Sequence, residues 1–239
     1  MRNIIRALRE RLTPRSSSSS NRLRFVDTGF HGDKYLLDLI DSIMKRCDAF
    51  VETGSNVGST LAYVAKRFPN AQCFSCEPDP TAFSHAKRNT EGCANVHLYN
   101  EMSQTFMKNV VARKERELSG NVLFWLDAHD YGFEWPLREE IDAITSNWDK
   151  AFVLIDDFLV PGLDCFGYDQ YDGQVCSFDF IRDSLNKNRD YRLHYPAYTD
   201  RTSTTHPLRG WGLIEFGQQQ ELELPTSIKG KISVTTVNV

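Results

Sequence analysis

The sequence predicts an α/β protein with an open, doubly wound, mostly parallel sheet. Three observations predict it. Short apolar runs alternate with segments of helical periodicity. Two of the runs, Val122 to Leu126 and Phe152 to Ile155, are apolar almost throughout, as a sheet covered on both faces requires. The stretch Phe50 to Thr60, FVETGSNVGST, reads as a strand, a tight glycine-bearing turn and the start of a helix. That arrangement lies at the carboxyl edge of such a sheet, where nucleotide-like ligands bind.

The elements follow in order. Tyr35, Leu36, Leu39, Ile40 and Ile43 line one face of a helix. A strand over 49–53 leads through the turn into a helix over 58–67, which Pro69-Asn70 ends. Gln72 to Cys76 is the second strand, closed by Glu77-Pro78-Asp79-Pro80, and a helix over 81–90 follows. Val96 to Tyr99 is the third strand, and 105–116 reads as helix. The fourth strand ends at Asp127-Ala128-His129, and Pro136 suits the first turn of a helix over 135–146. The fifth strand ends at Asp156-Asp157. Residues 162–175, rich in Gly, Tyr and Asp, read as a long loop over the carboxyl edge, a lid or a mobile surface loop. Phe178 to Leu185 reads as helix, Tyr191 to Tyr195 and Trp211 to Phe216 as strands, and Val234 to Val237 as an edge strand.

At 239 residues, with 41% hydrophobic content, the chain supports one sizeable core. No apolar run approaches the ~18 residues of a membrane span. A net charge of −4 argues against a general nucleic-acid binder. The six cysteines are scattered and no secretory signal precedes them, so they read as reduced thiols of a cytoplasmic protein. Cys73 and Cys76, on a strand, point to opposite faces and make a poor redox or zinc pair. The domain reading is a basic segment over 1–24 and one folded domain over 25–239. The basic segment holds seven arginines against Glu10, a helical face of Ile4, Ile5, Leu8 and Leu12, and a serine tract at 16–20. It has three readings: a membrane-surface helix through residues 1–15, a transit-like leader, and a frayed basic helix on a flexible tether, which is the expectation.

Gly54 supplies the positive φ of a sharp turn, and Gly58 permits close approach of a ligand or strand. Glu77, about 20 residues beyond the turn, stands where an acid accepts hydrogen bonds from both ribose hydroxyls of an adenosine. A dinucleotide needs G-x-G-x-x-G so that backbone amides reach a pyrophosphate. Here Asn56 replaces the second glycine, which counts against a nicotinamide dehydrogenase. Glu52, beside the turn, suits cationic groups and would repel phosphate.

The run E-T-G-S-N-V-G followed by C-E-P-D resembles class I S-adenosylmethionine-dependent methyltransferases, in the right order over residues 50–160. The resemblance implies a Rossmann-like, seven-stranded sheet with one antiparallel strand, and S-adenosylmethionine held by Glu52, Gly54, Ser55, Asn56, Gly58 and Glu77. Met102-Ser103-Gln104 is similar to the segment that touches adenine in catechol O-methyltransferase-like enzymes, which adds Ser103 and Gln104.

Asp127, Asp156 and Asp157 close two neighbouring parallel strands and converge at one sheet edge. Three carboxylates suit Mg²⁺, provided the chain leaves the sheet between Asp156 and Asp157. The runs L-D-A-H, W-P-L-R-E-E-I and L-I-D-D resemble macrocin-type sugar O-methyltransferases, which implies a saccharide or glycosylated-metabolite hydroxyl as the small-molecule acceptor. His129 is the candidate general base beside Asp127. In the catechol family a lysine stands where this chain has Asp130, a departure that argues against a catechol substrate. His206 and Tyr168 are remoter bases, while His31, His85, His97 and His194 have no supporting context. Two alternatives stand beside this reading: a metal-independent methyltransferase, and a nucleoside-binding domain without turnover.

Overall fold

The computed structural model describes residues 28–128, 135–200 and 207–238. The basic segment over 1–24 therefore lies outside the described residues.

Among the described residues ten strands form, in chain order β1 (Ala49–Thr53), β2 (Gln72–Cys76), β3 (Val96–Tyr99), β4 (Val122–Leu126), β5 (Ala151–Asp156), β6 (Gln170–Tyr171), β7 (Gln174–Val175), β8 (Asp190–Pro196), β9 (Trp211–Phe216) and β10 (Ile232–Asn238). The helices are α1 (Lys34–Met44), α2 (Ser59–Arg67), α3 (Pro80–Asn89), α4 (Ser103–Glu117), α5 (Leu137–Asn147) and the short α6 (Phe178–Ile181). Caps set several boundaries. Asp33 accepts from the amides of Tyr35 and Leu36, and Asp79 from those of Thr81 and Ala82. Pro136 is the residue before α5, one position earlier than the sequence suggests.

The main sheet has eight strands in the order β10-β8-β9-β5-β4-β1-β2-β3. β3, β2, β1, β4 and β5 run parallel, and β9 pairs antiparallel with β5 and with β8. β10 pairs antiparallel with β8 over its whole length. This is a Rossmann-like, doubly wound fold, with one correction. The expected seven strands with one antiparallel become eight with two, because the edge strand at the C-terminus extends over Ile232–Asn238. Every residue of β1, β4, β5 and β9 is buried, so both faces of the sheet's centre are covered. The six cysteines are free, and burial raises the thiols of Cys73 and Cys76.

Candidate functional site

Three strand ends meet at the turn after β1. The amides of Gly54 and Ser55 donate to Cys76 O at 3.1 and 2.9 Å, and Asp127 N donates to Thr53 O at 3.0 Å. Gly54 has φ +83°, and a Cβ there would lie 2.5 Å from Asp127 O. Glycine is therefore required both by the backbone and by the close passage of the β4 exit. Asn56 adopts φ +48°, which asparagine tolerates better than most residues. A Cβ on Gly58, at φ +77°, would come within 3.0 Å of Ala86 Cα, so that glycine lets α3 pack against the turn.

Glu77 is buried at the end of β2. It accepts from Asn56 N at 2.7 Å and Asp79 N at 2.9 Å. Burial nevertheless raises its carboxyl above the ordinary value. Glu52 lies inside the sheet opposite Ser75, whose hydroxyl donates to it at 2.6 Å. Burial, reinforced by the charges of Asp127 and Glu77, pushes the Glu52 carboxyl up to about 8. The sequence predicts an anionic neighbour here, whereas burial favours the protonated form of this carboxyl.

Buried hydroxyls are ordinarily hydrogen-bonded. Thr53 Oγ1, Ser55 Oγ and Ser103 Oγ are buried without a hydrogen-bond partner among the described residues. They lie at the end of β1, in the turn after it and at the start of α4. Three unsatisfied hydroxyls suit a polar ligand such as an adenosyl group with an amino-acid tail. Gln104, next to Ser103, is half-buried.

The acids lie at the ends of β4 and β5. Asp127 and Asp156 line a water-sized cavity of about 10 Å³ together with Trp135, Glu140 and Cys176. Asp157 has φ +51°, so the chain leaves the sheet between the two aspartates. Each is engaged by a basic side chain. His31 Nε2 lies 2.7 Å from Asp156 Oδ2, and Arg209 pairs with both oxygens of Asp157 while reaching Asp169 at 3.2 Å. The charge of Asp156 raises the His31 imidazole to about 9 against the opposing effect of burial. Burial, then the charge of Asp156, raises Asp157. Among the described residues, the side chains with donor atoms within 4.8 Å of one another are His31, Asp156 and Asp157. Asp127 is outside that group, although its charge reaches His31. The expected magnesium set of Asp127, Asp156 and Asp157 is therefore not assembled. Two of its members carry basic partners, and the group that does assemble includes a nitrogen, which an all-oxygen Mg²⁺ site does not favour.

The 162–175 loop contains a small hairpin, β6–β7, turned at Asp172-Gly173 with φ values of +48° and +79°. Asp169 N donates to Asp157 O at 2.8 Å and Cys176 N to Asp169 O at 2.9 Å. Tyr171 donates to Asp169 at 2.9 Å and meets Trp135 edge-on at 5.2 Å. The hairpin is thus tied to the acid cluster. Tyr168, two residues before the hairpin, is exposed. His129 and His206 lie outside the described residues.

Sequence reading assigned no role to His31, Arg209, Glu140 or Thr53. His31 carried one usable signal, the glycines at 29 and 32 that bracket Phe30-His31. Arg209 is 52 residues from Asp157 and carried none.

No family model and no curated protein matches the chain. Solved structures share the fold. A Klebsiella pneumoniae "putative O-methyltransferase" is 14% identical, aligned over 90% of this chain and 96% of its own, with a TM-score of 0.54. The plantazolicin methyltransferase BamL, in complex with a triazolic desmethylPZN analog and SAH, is 13% identical over 79% of this chain and 86% of its own, with a TM-score of 0.50.

Proposed function

We propose that the chain is an S-adenosylmethionine-dependent O-methyltransferase acting on a saccharide or glycosylated-metabolite hydroxyl. The observation that supports this reading is the turn after β1: its Gly54 amide meets the end of β2, Asn56 N donates to Glu77, and the buried hydroxyls of Thr53 and Ser55 lack a partner among the described residues. Solved structures that share the fold include one in complex with SAH, which supports the cofactor. The saccharide rests on the resemblance of the L-D-A-H and L-I-D-D runs alone.

When bound, S-adenosylmethionine supplies the methyl group, which passes in line to the acceptor oxygen as the C–S bond breaks and the C–O bond forms. Glu77 would hold the ribose. The Gly54 turn would leave room for the amino-acid tail, with the hydroxyls of Thr53 and Ser55 at that turn, and Ser103 with Gln104 would touch the adenine. Alignment of acceptor and methyl supplies much of the acceleration. The acceptor proton would leave to His129, two residues after Asp127. No step is assigned to Mg²⁺, because the residues do not form the oxygen set it needs.

Isothermal titration with S-adenosylhomocysteine, and with NAD as control, tests the cofactor. Binding of NAD in preference would overturn it. Methyl transfer to a panel of sugar and phenolic acceptors then separates an enzyme from a nucleoside-binding domain without turnover.

A further inference from the structure

We infer that the outer edge of β10 pairs with the same edge of a second copy of this chain, joining two eight-stranded sheets into one across a two-fold axis.

β10 ends the sheet. It pairs with β8 on one side and, among the described residues, with nothing on the other. A bare edge is a template for another strand, and proteins usually guard it with a charge, a proline, a bulge or short length. The opposite edge, β3, is guarded by length, with four residues that are all half-buried. β10 has seven, Ile232-Ser233-Val234-Thr235-Thr236-Val237-Asn238, without a charge or a proline. Five of them are β-branched, which favours strand, and the register with β8 runs unbroken from Ile232 to Asn238. Ser233, Val234, Thr235 and Thr236 are exposed. Val234, at 49%, is one of two large apolar side chains exposed among the described residues.

The ladder also fixes which backbone groups face out. Ala197 N donates to Lys231 O at 2.8 Å, one step beyond the Ile232–Pro196 pair. In an antiparallel ladder alternate residues turn both backbone groups to the same side. Ser233, Thr235 and Val237 therefore bond to β8, while Ile232, Val234, Thr236 and Asn238 turn N–H and C=O outwards. Pro196 agrees with this phase, since opposite Ile232 its missing N–H removes no bond of this ladder.

The outward row is complementary to itself. Two copies antiparallel about an axis at Thr235 set Val234 against Thr236 and Ile232 against Asn238, and the outward groups then exchange about eight backbone hydrogen bonds. In such a pairing a strand meets its own sequence, so an edge of one charge sign would repel itself. This edge carries no charge. The basic segment over 1–24 suits the edge less well. It holds seven arginines, and Ile4, Ile5, Leu8 and Leu12 recur at helical rather than alternating spacing. A two-fold pairing uses both bare edges and stops at two copies. Seven residues a side is fewer than the roughly 20–30 of a standard interface, so the dimer is a reversible one.

This inference does not depend on the methyltransferase reading, because its test reads mass and amide exchange. The full chain is sedimented from about 1 to about 300 µM, with hydrogen exchange resolved to single amides at both ends of that range. The expected result is a shift from the 27.4 kDa monomer to twice that mass, half complete at about 10–100 µM. The amides of Val234 and Thr236 should slow at least about tenfold on association, while those of Ser233 and Thr235 change little. Thr235→Lys sets two ammonium groups side by side at the axis. Thr236→Pro removes an outward N–H and keeps every bond to β8, as proline on an edge strand can. Both variants should stay monomeric throughout, with the melting temperature of dilute wild type. A wild-type monomer at every concentration, unimpaired association of Thr235→Lys, or a dimer in which the Val234 and Thr236 amides exchange as fast as in dilute protein would each overturn the pairing. So would protection of those two amides at the lowest concentration, which would put another segment of the same chain on the edge.

Discussion

Asn56 donates its backbone amide to Glu77 Oε2 at 2.7 Å, which makes the turn after β1 and the acid ending β2 one mechanical unit. The second oxygen of Glu77 holds Asp79 N, at the start of α3. The Glu77 carboxylate is thus held by two backbone amides.

Glu77→Ala should weaken S-adenosylhomocysteine binding by about 1–3 kcal/mol, since a charged acceptor is lost and two amides are left without it. Calorimetry on wild type and variant checks this. Unchanged affinity would remove Glu77 from the site.

Gly54→Ala should be among the most damaging single-methyl additions in the chain. The residue sits at φ +83°, and its new Cβ would meet a carbonyl oxygen at 2.5 Å. Gly92 is the control, because it has φ +85° with open space around it. Gly92→Ala should cost roughly 1–2 kcal/mol from backbone strain alone, and Gly54→Ala clearly more. Urea denaturation of both variants decides, and equal losses would refute the close approach to Asp127.

The carboxyl of Glu52 is raised from 4.5 to about 8, chiefly by burial. The folded state then binds its proton more tightly than the unfolded state. The resulting stabilisation is complete below about 4.5 and is lost as pH rises through about 8. Glu52→Gln keeps the shape and removes the charge. It should flatten the fall in melting temperature between pH 5 and pH 8 and raise stability at pH 8, as scanning calorimetry across that range can show. An unaltered slope would mean that Glu52 is already ionised in the folded protein.

Arg209 balances Asp157 and Asp169 at the mouth of the acid cluster. Arg209→Met should destabilise by about 1–3 kcal/mol because it leaves a buried carboxylate beside Asp156 without its charge partner. Adding Asp157→Asn should recover part of that loss, and a double-mutant cycle in urea measures the coupling. Strictly additive effects would show that the pair is not coupled.

The fold was largely legible because its central strands carry their own signals. Phe50-Val51, Val122 to Leu126 and Phe152 to Ile155 are apolar runs whose neighbours have helical period, and capping acids such as Asp79 mark where helices begin. The hairpin at Gln170–Tyr171 and Gln174–Val175 is hidden within the 162–175 loop in the sequence, because two-residue strands are too short to show alternation. Within the candidate site, the Gly54 turn and Glu77 could be seen because they are local to strand ends. His31 and Arg209 could not be placed, because what brings them to Asp156 and Asp157 is tertiary. His31 arrives through a left-handed turn that Phe30 anchors, and Arg209 through the strand pairing that sets β9 beside β5.

The strand β10 has a practical consequence for anyone shortening the protein. Its seven residues close the ladder of β8, the strand whose Arg192 and His194 hold the fully buried Glu215 at 2.9 and 2.8 Å. A C-terminal trim ending before Ile232 would open that ladder to water next to a buried carboxylate. Expression boundaries should therefore keep the chain through Asn238.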